Sequence, residues 1–412
     1  MEAATNRADF HRCSHFERLP NEIKLAVLVS LPDLESTINL ALSGPEYYAV
    51  VAQLENELAA RIALAAIGSD LMPFANAVCH ANSDWRSPSQ KIVDPTNNWR
   101  DYKSINDIRT VKKCLRLHKS IQYFARILAR RAFQEAFTLV QKTPEPSSIE
   151  LQRFVKSLYI LQLVSIRFPL RRVSTDAATM RDYNITLAKF WVNFAPWEMQ
   201  QVRCIQCLLG NHIQGVMDAN SDNCFDYLDS SAPYVPRTVM AAFILDQGVE
   251  GLYVLEQHGH VQATRQALSS FQSEWLSSRR IDAYCQNHDA LWLQCVTDND
   301  LSLDAEHVFR IYPEEESGPM ESWYHTLLQA HVEDPMFDYA ASNQFKCQRC
   351  MTGSGYMFWD HNRLTHRARR PFPTVHQMRL ASDGIVVSRD ELFSKAWDRS
   401  SAAGCICDLP YY

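Results

Sequence analysis

Helical periodicity dominates the chain wherever a period can be read. Val202, Ile205, Leu208 and Leu209 recur at three- and four-residue steps across 201–217. Leu151, Phe154, Leu158, Leu161 and Ile166 do much the same across 147–166, and this is the spacing of one face of a helix. Alternation of the strand type is rare and short. "DGIVVS" (383–388) is the best strand candidate, as one arm of a small sheet near the C-terminus. Pro, Gly, Ser, Asn and Asp cluster in "HANSDWRSPSQKIVDPTNN" from His80, "KTPEPSS" from Lys142, "DANSDNCFDYLDSSAPYVP" from Asp218 and "YPEEESGP" from Tyr312, and such clusters interrupt periodic segments. The first is the expected domain boundary, and limited proteolysis is expected to cut there first and leave 101–412 folded. No self-similar period of about 20–50 residues is present, so propeller and helical-repeat signatures are missing.

Near the N-terminus, "HFERLPNEIKLAVLVSLPDLESTINLALSGPEYYAVV" (15–51) predicts three short helices. Pro20 suits a first helical turn, and Ile23, Val27 and Leu31 follow on one stripe. Pro32 closes that helix and Asp33 can cap the next, where Leu34, Ile38 and Leu42 lie four apart. Ser43, Gly44 and Pro45 make a second break before Tyr47, Val50 and Leu54. A segment this short has too little interior to bury all three stripes. They therefore pack on the rest of the chain or on another protein.

Composition narrows the function. The chain has 412 residues, 46% hydrophobic and 21% charged, with a net charge of −6, enough for about two or three domains. The acidic balance gives no general attraction to phosphate backbones or anionic lipid, so neither nucleic-acid nor membrane binding is expected. The most apolar long stretch, 58–78, contains Arg61 and Asp70, which are costly in a bilayer. Nothing at the start reads as a signal peptide, and a soluble protein of the cytoplasm or nucleus is expected. Twelve cysteines over this length are too sparse for a disulfide scaffold, and most are expected to be buried small hydrophobes.

The pattern Leu19-Pro20-x-Glu22-Ile23, then Leu28, Leu31, Leu34, Ile38, Leu42-Ser43 and Tyr47-Tyr48, resembles the F-box, especially its form in filamentous fungi. The resemblance covers residues 15–66. It implies a module that binds a Skp-type adaptor, and through it a cullin, in an SCF ubiquitin ligase. Carried over residue by residue, it assigns adaptor contacts to Leu19, Pro20, Ile23, Leu31, Leu34 and Leu42. Many F-boxes have a Cys and a Trp where this chain has Ser43 and Tyr47-Tyr48. "GYMFWDHNRL" (355–364) is similar to a late segment of fungal F-box proteins of this size.

Other constellations point elsewhere. Cys204 and Cys207 sit in an apolar helical run, "QQVRCIQCLLG", and read as core. Cys347 and Cys350 lie beside Gly353 and Gly355, and together with Cys405 and Cys407 could form a four-thiolate zinc site, with His361, His366 and His376 as substitute ligands. Free thiols are the preferred reading, so no cofactor is expected. Residues 109–131 carry Arg109, Lys112, Lys113, Arg116, Lys119, Arg126, Arg130 and Arg131 and no acid. The choice is between an RNA or acidic-partner groove and a solvated face paired with acidic neighbours, and the latter is preferred. His258 and His260 mark the end of a helical run, and "AKFWVNFAPWEM" from Ala188 reads as core with Pro196 starting the next helix. No phosphate loop, His-Glu-x-x-His or nucleophile elbow occurs.

The expected architecture is mainly α: a polar tail (1–14), an F-box-like module (15–66), a connecting segment and polar linker (67–100), and a helical substrate-recognition domain (101–412) with a small C-terminal sheet. The expected function is a receptor, not an enzyme, that bridges the adaptor to an unidentified protein client. The rivals are a metal-dependent enzyme using the C-terminal Cys/His set, and a helical scaffold whose first helices are core.

Overall fold

The computed structural model describes residues 18–31, 34–84, 107–137, 145–168, 190–191, 194–219, 248–257, 318–329, 355–368, 374 and 376–378. Of these, 88% are helical and none forms a strand, which makes the protein mainly α. The strand candidate at 383–388 lies outside the described residues, as do the tail and most of the polar stretch after His80. Two compact units emerge. One holds residues up to His80 together with residues 107–118; the other holds Ala81 to Asp84 and the described residues from Lys119 onward.

In the first unit, α1 (Asn21–Ser30), α2 (Leu34–Ser43) and α3 (Pro45–Ile67) pack against one another. Pro20 precedes the first helical residue, and its carbonyl accepts the Ile23 and Lys24 N–H groups at 3.0 and 3.1 Å. Proline caps α1 here, one step earlier than the first-turn position expected for it. Gly44 is the N-cap of α3 and Pro45 its first residue, as the sequence pattern predicts. α3 is not short: it runs 23 residues and bends at Leu54. A further helix, α4 (Met72–Asp84), occupies part of what reads in the sequence as a connecting segment.

On α1 and on most of α2 the packed face is rotated from the expected stripe, whereas Leu34 on α2 and Tyr47 and Val50 on α3 point inward as expected. α1 buries Leu25 and Leu28, and α2 buries Leu34, Thr37 and Ala41. α3 buries Tyr47 and Val50 beside them, then Leu58, Ala59 and Ile62. Full burial of one Leu is worth about 1.5–3 kcal/mol, so Leu28, with no exposed surface, is a main anchor. The Thr37 hydroxyl donates to the Leu28 carbonyl at 3.2 Å, satisfying one of the acceptors that a helix end leaves open.

α5 (Ile108–Phe137) begins in this unit. Asp107 caps it, accepting the Thr110 N–H at 2.8 Å and the Thr110 hydroxyl at 2.5 Å. The hydroxyl is the main reason its carboxyl titrates below the ordinary range. The Ile108 N–H donates to Glu55 on α3 at 3.2 Å. Burial lowers the His118 pKa and favours its neutral form. Cys79 on α4 and Cys114 on α5 are joined by a disulfide, Cα to Cα 6.4 Å, where the sequence suggested separate buried thiols. No single helix among the described residues is long and apolar enough to cross a membrane, although Pro45–Ile67 and Met72–Ala81, bent by 118°, reach that composition as a pair.

The second unit is organised on α6 (Ser148–Arg167), which packs against α7 (Pro196–Ala219), α8 (Gly248–Gln257) and the 3₁₀ turn Tyr356–Phe358. From Phe154 to Leu163, α6 buries nearly every side chain, including Ser157 and Gln162. A helix apolar on most sides belongs in the middle of a core. Gln162 accepts the Val249 N–H at 2.6 Å and so caps α8. The aromatic set Phe190, Trp191, Phe194 and Trp197 is buried, and Pro196 starts α7, both as expected. α9 (Pro319–Gln329) packs on α7 and on the 3₁₀ turn, and α10 (His361–Ala368) follows that turn.

The N-terminus of α6 carries a capping box. The Ser147 hydroxyl accepts the Glu150 N–H at 3.1 Å, and Glu150 accepts the Ser147 N–H at 2.8 Å. Such reciprocal bonds satisfy two orphan donors. Glu150 is fully buried, and Arg363 of α10 clamps it with both Nε (2.7 Å) and Nη2 (2.8 Å) while the Asp360 N–H donates to it at 3.0 Å. Arg153 reaches the Phe358 carbonyl at 2.9 Å and Asp360 at 2.7 Å. Phe358 stacks on Phe154 with ring centroids 3.8 Å apart, and Gln201 donates to the Met357 carbonyl at 3.0 Å. Gly355 turns the chain into this segment at φ +66°, where a Cβ would lie 3.0 Å from that of Ala132.

Breaking one half of a buried ion pair costs about 3–5 kcal/mol because the other charge is stranded. Arg363→Ala should therefore lower unfolding free energy by that order in denaturant melts, and Arg363→Met combined with Glu150→Gln should recover part of the loss. Independently, a protease cut within 85–98 should leave two fragments that run together on a denaturing gel without reductant and separate with it. In Cys114→Ser they should separate under both conditions.

Candidate docking face

The first unit divides its apolar side chains between an interior and an outer set. Ile23, Leu42 and Tyr48 are 48%, 69% and 60% exposed. Pro20 is exposed, and Leu19, Val27, Leu31 and Ile38 are half-buried. Along α1, Pro20, Ile23, Val27 and Leu31 follow at steps of three and four; along α2, Ile38 and Leu42 do so. These spacings place each set on one helix face. Serine hydroxyls at the two helix ends donate back to their own helix, Ser30 to the Val27 carbonyl at 2.8 Å and Ser43 to the Leu40 carbonyl at 2.7 Å.

Of the six positions assigned to adaptor contact, five keep accessible surface: Leu19, Pro20, Ile23, Leu31 and Leu42. Leu34 does not. It is 8% exposed at the start of α2, on the face that also carries Thr37 and Ala41, and it serves the unit's own core. Lys24 is buried too, its long aliphatic stem being compatible with an apolar surround. Val50 and Tyr47 pack inward.

The candidate zinc ligands Cys347, Cys350, Cys405 and Cys407 lie outside the described residues. Among the described residues, no group of three or more His, Cys, Asp or Glu side chains could hold a metal ion. Of the substitute ligands, His361 has both ring nitrogens engaged, Nδ1 with Glu321 at 2.6 Å and Nε2 with Thr365 at 3.4 Å. His376 is exposed, and the His366 side chain is outside the described set. Cys204 is buried on α7 with Cys207 half-buried beside it, and burial pushes the Cys204 thiol far up. Cys204 is core, as its apolar run suggests, and Cys207 stands at the edge of that core. α8 ends at Gln257, just before His258 and His260, which lie outside the described residues.

One polar cluster was invisible in the sequence because its members come from three helices. Glu256 of α8 pairs with His212 of α7 and accepts a hydrogen bond from the Tyr123 hydroxyl of α5. That bond, more than burial, raises the tyrosine pKa to about 12. The Tyr123 and Tyr253 rings meet edge to face with centroids 5.3 Å apart. The cluster ties α5, α7 and α8 together with Tyr123 as a proton donor.

No protein-family model, no curated protein and no solved structure matches this chain.

A tyrosine whose folded pKa lies above its unfolded value of about 10 keeps its proton after the unfolded chain has lost it. Its contribution is complete below about pH 10 and is lost as pH rises toward about 12. The drop in unfolding free energy between these pH values, measured by urea titration, should be smaller in Tyr123→Phe than in the parent chain.

Proposed function

We propose that the first unit docks a Skp-type adaptor and that the chain is a substrate receptor of an SCF ubiquitin ligase, bridging that adaptor, and through it a cullin, to a protein client. The observation that carries this reading is the outward placement of Ile23 and Leu42 on helices whose own interiors are complete without them. Large apolar side chains left on a small helical unit suit a protein partner, since a few well-buried anchors supply most of the binding free energy of an interface. The Leu19-Pro20-x-Glu22-Ile23 pattern supplies the partner's class by resemblance. On this reading the chain performs no covalent chemistry, needs no cofactor, and works in the cytoplasm or nucleus, where a Cys79–Cys114 disulfide is an exception to the reduced thiols usual there. Leu34 takes no part in the contact; its role is to hold α2 in place.

The second unit would present the client. Its central charges serve packing: Glu150, Arg153, Asp360 and Arg363 are all engaged with one another and with backbone groups.

Ile23→Ala and Leu42→Ala each remove an anchor worth about 1–3 kcal/mol in a desolvated contact. The double variant should melt as the parent does and lose adaptor binding by about tenfold or more in a calorimetric titration with purified adaptor. Leu28→Ala and Leu34→Ala should do the reverse and lower stability first. A parent chain that shows no adaptor binding, or a double variant that binds as well as the parent, defeats the reading.

A further inference from the structure

Every residue of α5 with a largely exposed side chain among the described positions is a cation: Arg109, Lys112, Lys113, Arg116, Lys119, Arg126 and Arg130. Their spacing of three, four and seven residues puts them along one face of one helix, about 30 Å from first to last at 1.5 Å per residue. The inner face is apolar, with Val111, Leu117, Ile121, Phe124 and Leu128 buried. A solvated helix that serves only solubility normally mixes signs, gaining from acid–base pairs at three and four residues. Here every such pair on the exposed face is like-charged, from Arg109 with Lys113 to Arg126 with Arg130, and each opposes helix formation. Arg109 also stands in the first turn, where a cation meets the positive end of the helix dipole.

In a net-acidic chain these cations are expected to pair with acidic neighbours. Among the described residues no ion pair reaches Lys112, Lys113, Lys119, Arg126 or Arg130. We propose that this face of α5 binds a short acidic segment of a partner protein, a run of Asp or Glu side chains laid along the lysines and arginines. Two features favour that class over nucleic acid or membrane. No exposed aromatic stands among the cations to stack bases as single-strand binders require, and no exposed apolar side chain is there to enter a bilayer. In addition, removing these seven cations from a net charge of −6 leaves −13 on the remainder. The chain's overall charge therefore gives a long polyanion such as a duplex or a lipid sheet no attraction beyond the stripe itself.

The proposal does not depend on the adaptor reading. The test uses the full chain and fluorescence anisotropy with a labelled short all-glutamate peptide, an all-glutamine peptide of the same length, a mixed-sequence DNA duplex and vesicles containing phosphatidylserine. The glutamate peptide should bind saturably and weaken steadily with added salt, and the glutamine peptide should not bind. Lys112→Gln/Lys113→Gln/Lys119→Gln should reduce affinity on the order of tenfold, and the matching Lys→Arg triple should keep it. Adaptor binding should be the same in all three chains. Absence of saturable glutamate binding, salt-insensitive binding, equal binding by the glutamine triple, or tighter binding of duplex or vesicles at the same ionic strength would overturn the proposal. Should the glutamine triple fail to fold, the salt titration and the two peptides on the parent chain still decide.

Discussion

The clamp of Arg363 on Glu150 is the interaction on which the second unit depends. A carboxylate without solvent contact is tolerable only when its charge is matched and its lone pairs are taken. Glu150 meets that condition by accepting two guanidinium bonds and two backbone N–H groups. Because these donors come from the cap of α6 and from Asp360 and Arg363, one residue ties positions more than two hundred apart in sequence. The hydrophobic contacts follow from that alignment: with Asp360 and Arg363 held, Phe358 lies on Phe154, Trp359 comes beside Phe133, and the Met357 carbonyl meets Gln201. The guanidinium of Arg363 also covers the Phe133 ring at 4.3 Å, joining the charge network to the aromatic core.

The first unit is governed by shortage of interior. Three helices of this size can share one core but not three full apolar stripes. α1 and α2 bury Leu25, Leu28, Leu34, Thr37 and Ala41 and leave Ile23 and Leu42 outward. The covalent link from α4 to the start of α5 and the bond from Ile108 to Glu55 add restraint that burial alone does not provide.

Helix type was legible where periodicity ran long, as in 147–166 and 201–217, because there one face of each helix is packed throughout. The breaks at Pro45 and Pro196 were equally legible, since proline lacks the N–H that a helix interior needs. The inward faces of α1 and α2 were not, because Ile23, Leu25, Val27 and Leu28 are all apolar and periodicity cannot say which of two adjacent stripes meets α3. Membership of α4 and the first turns of α5 in the first unit was hidden by the polar stretch between them, which looks like a boundary while its two flanks are bonded to each other. The Glu150 clamp and the Tyr123 cluster join residues from separate helices, and no local pattern carries such a pairing. The cationic face of α5 was visible as a run, but only the structure sorts exposed residues from buried ones.

Gly318 adopts φ +103°, and a Cβ there would come within 2.2 Å of the Trp359 carbonyl oxygen, so this position admits no other residue without moving the segment that carries Asp360 and Arg363. The constraint makes a fingerprint. A chain built on the same second unit should carry Glu and Arg three apart at a helix start, an unvaried glycine ahead of a short helix, and then Gly-x-x-x-Trp-Asp-x-x-Arg. Relatives too diverged for overall similarity to register would be recognisable by that set. It is more diagnostic than leucines at helical spacing, because Gly318 is held by a backbone approach and Glu150, Arg153, Asp360 and Arg363 by one another's charges.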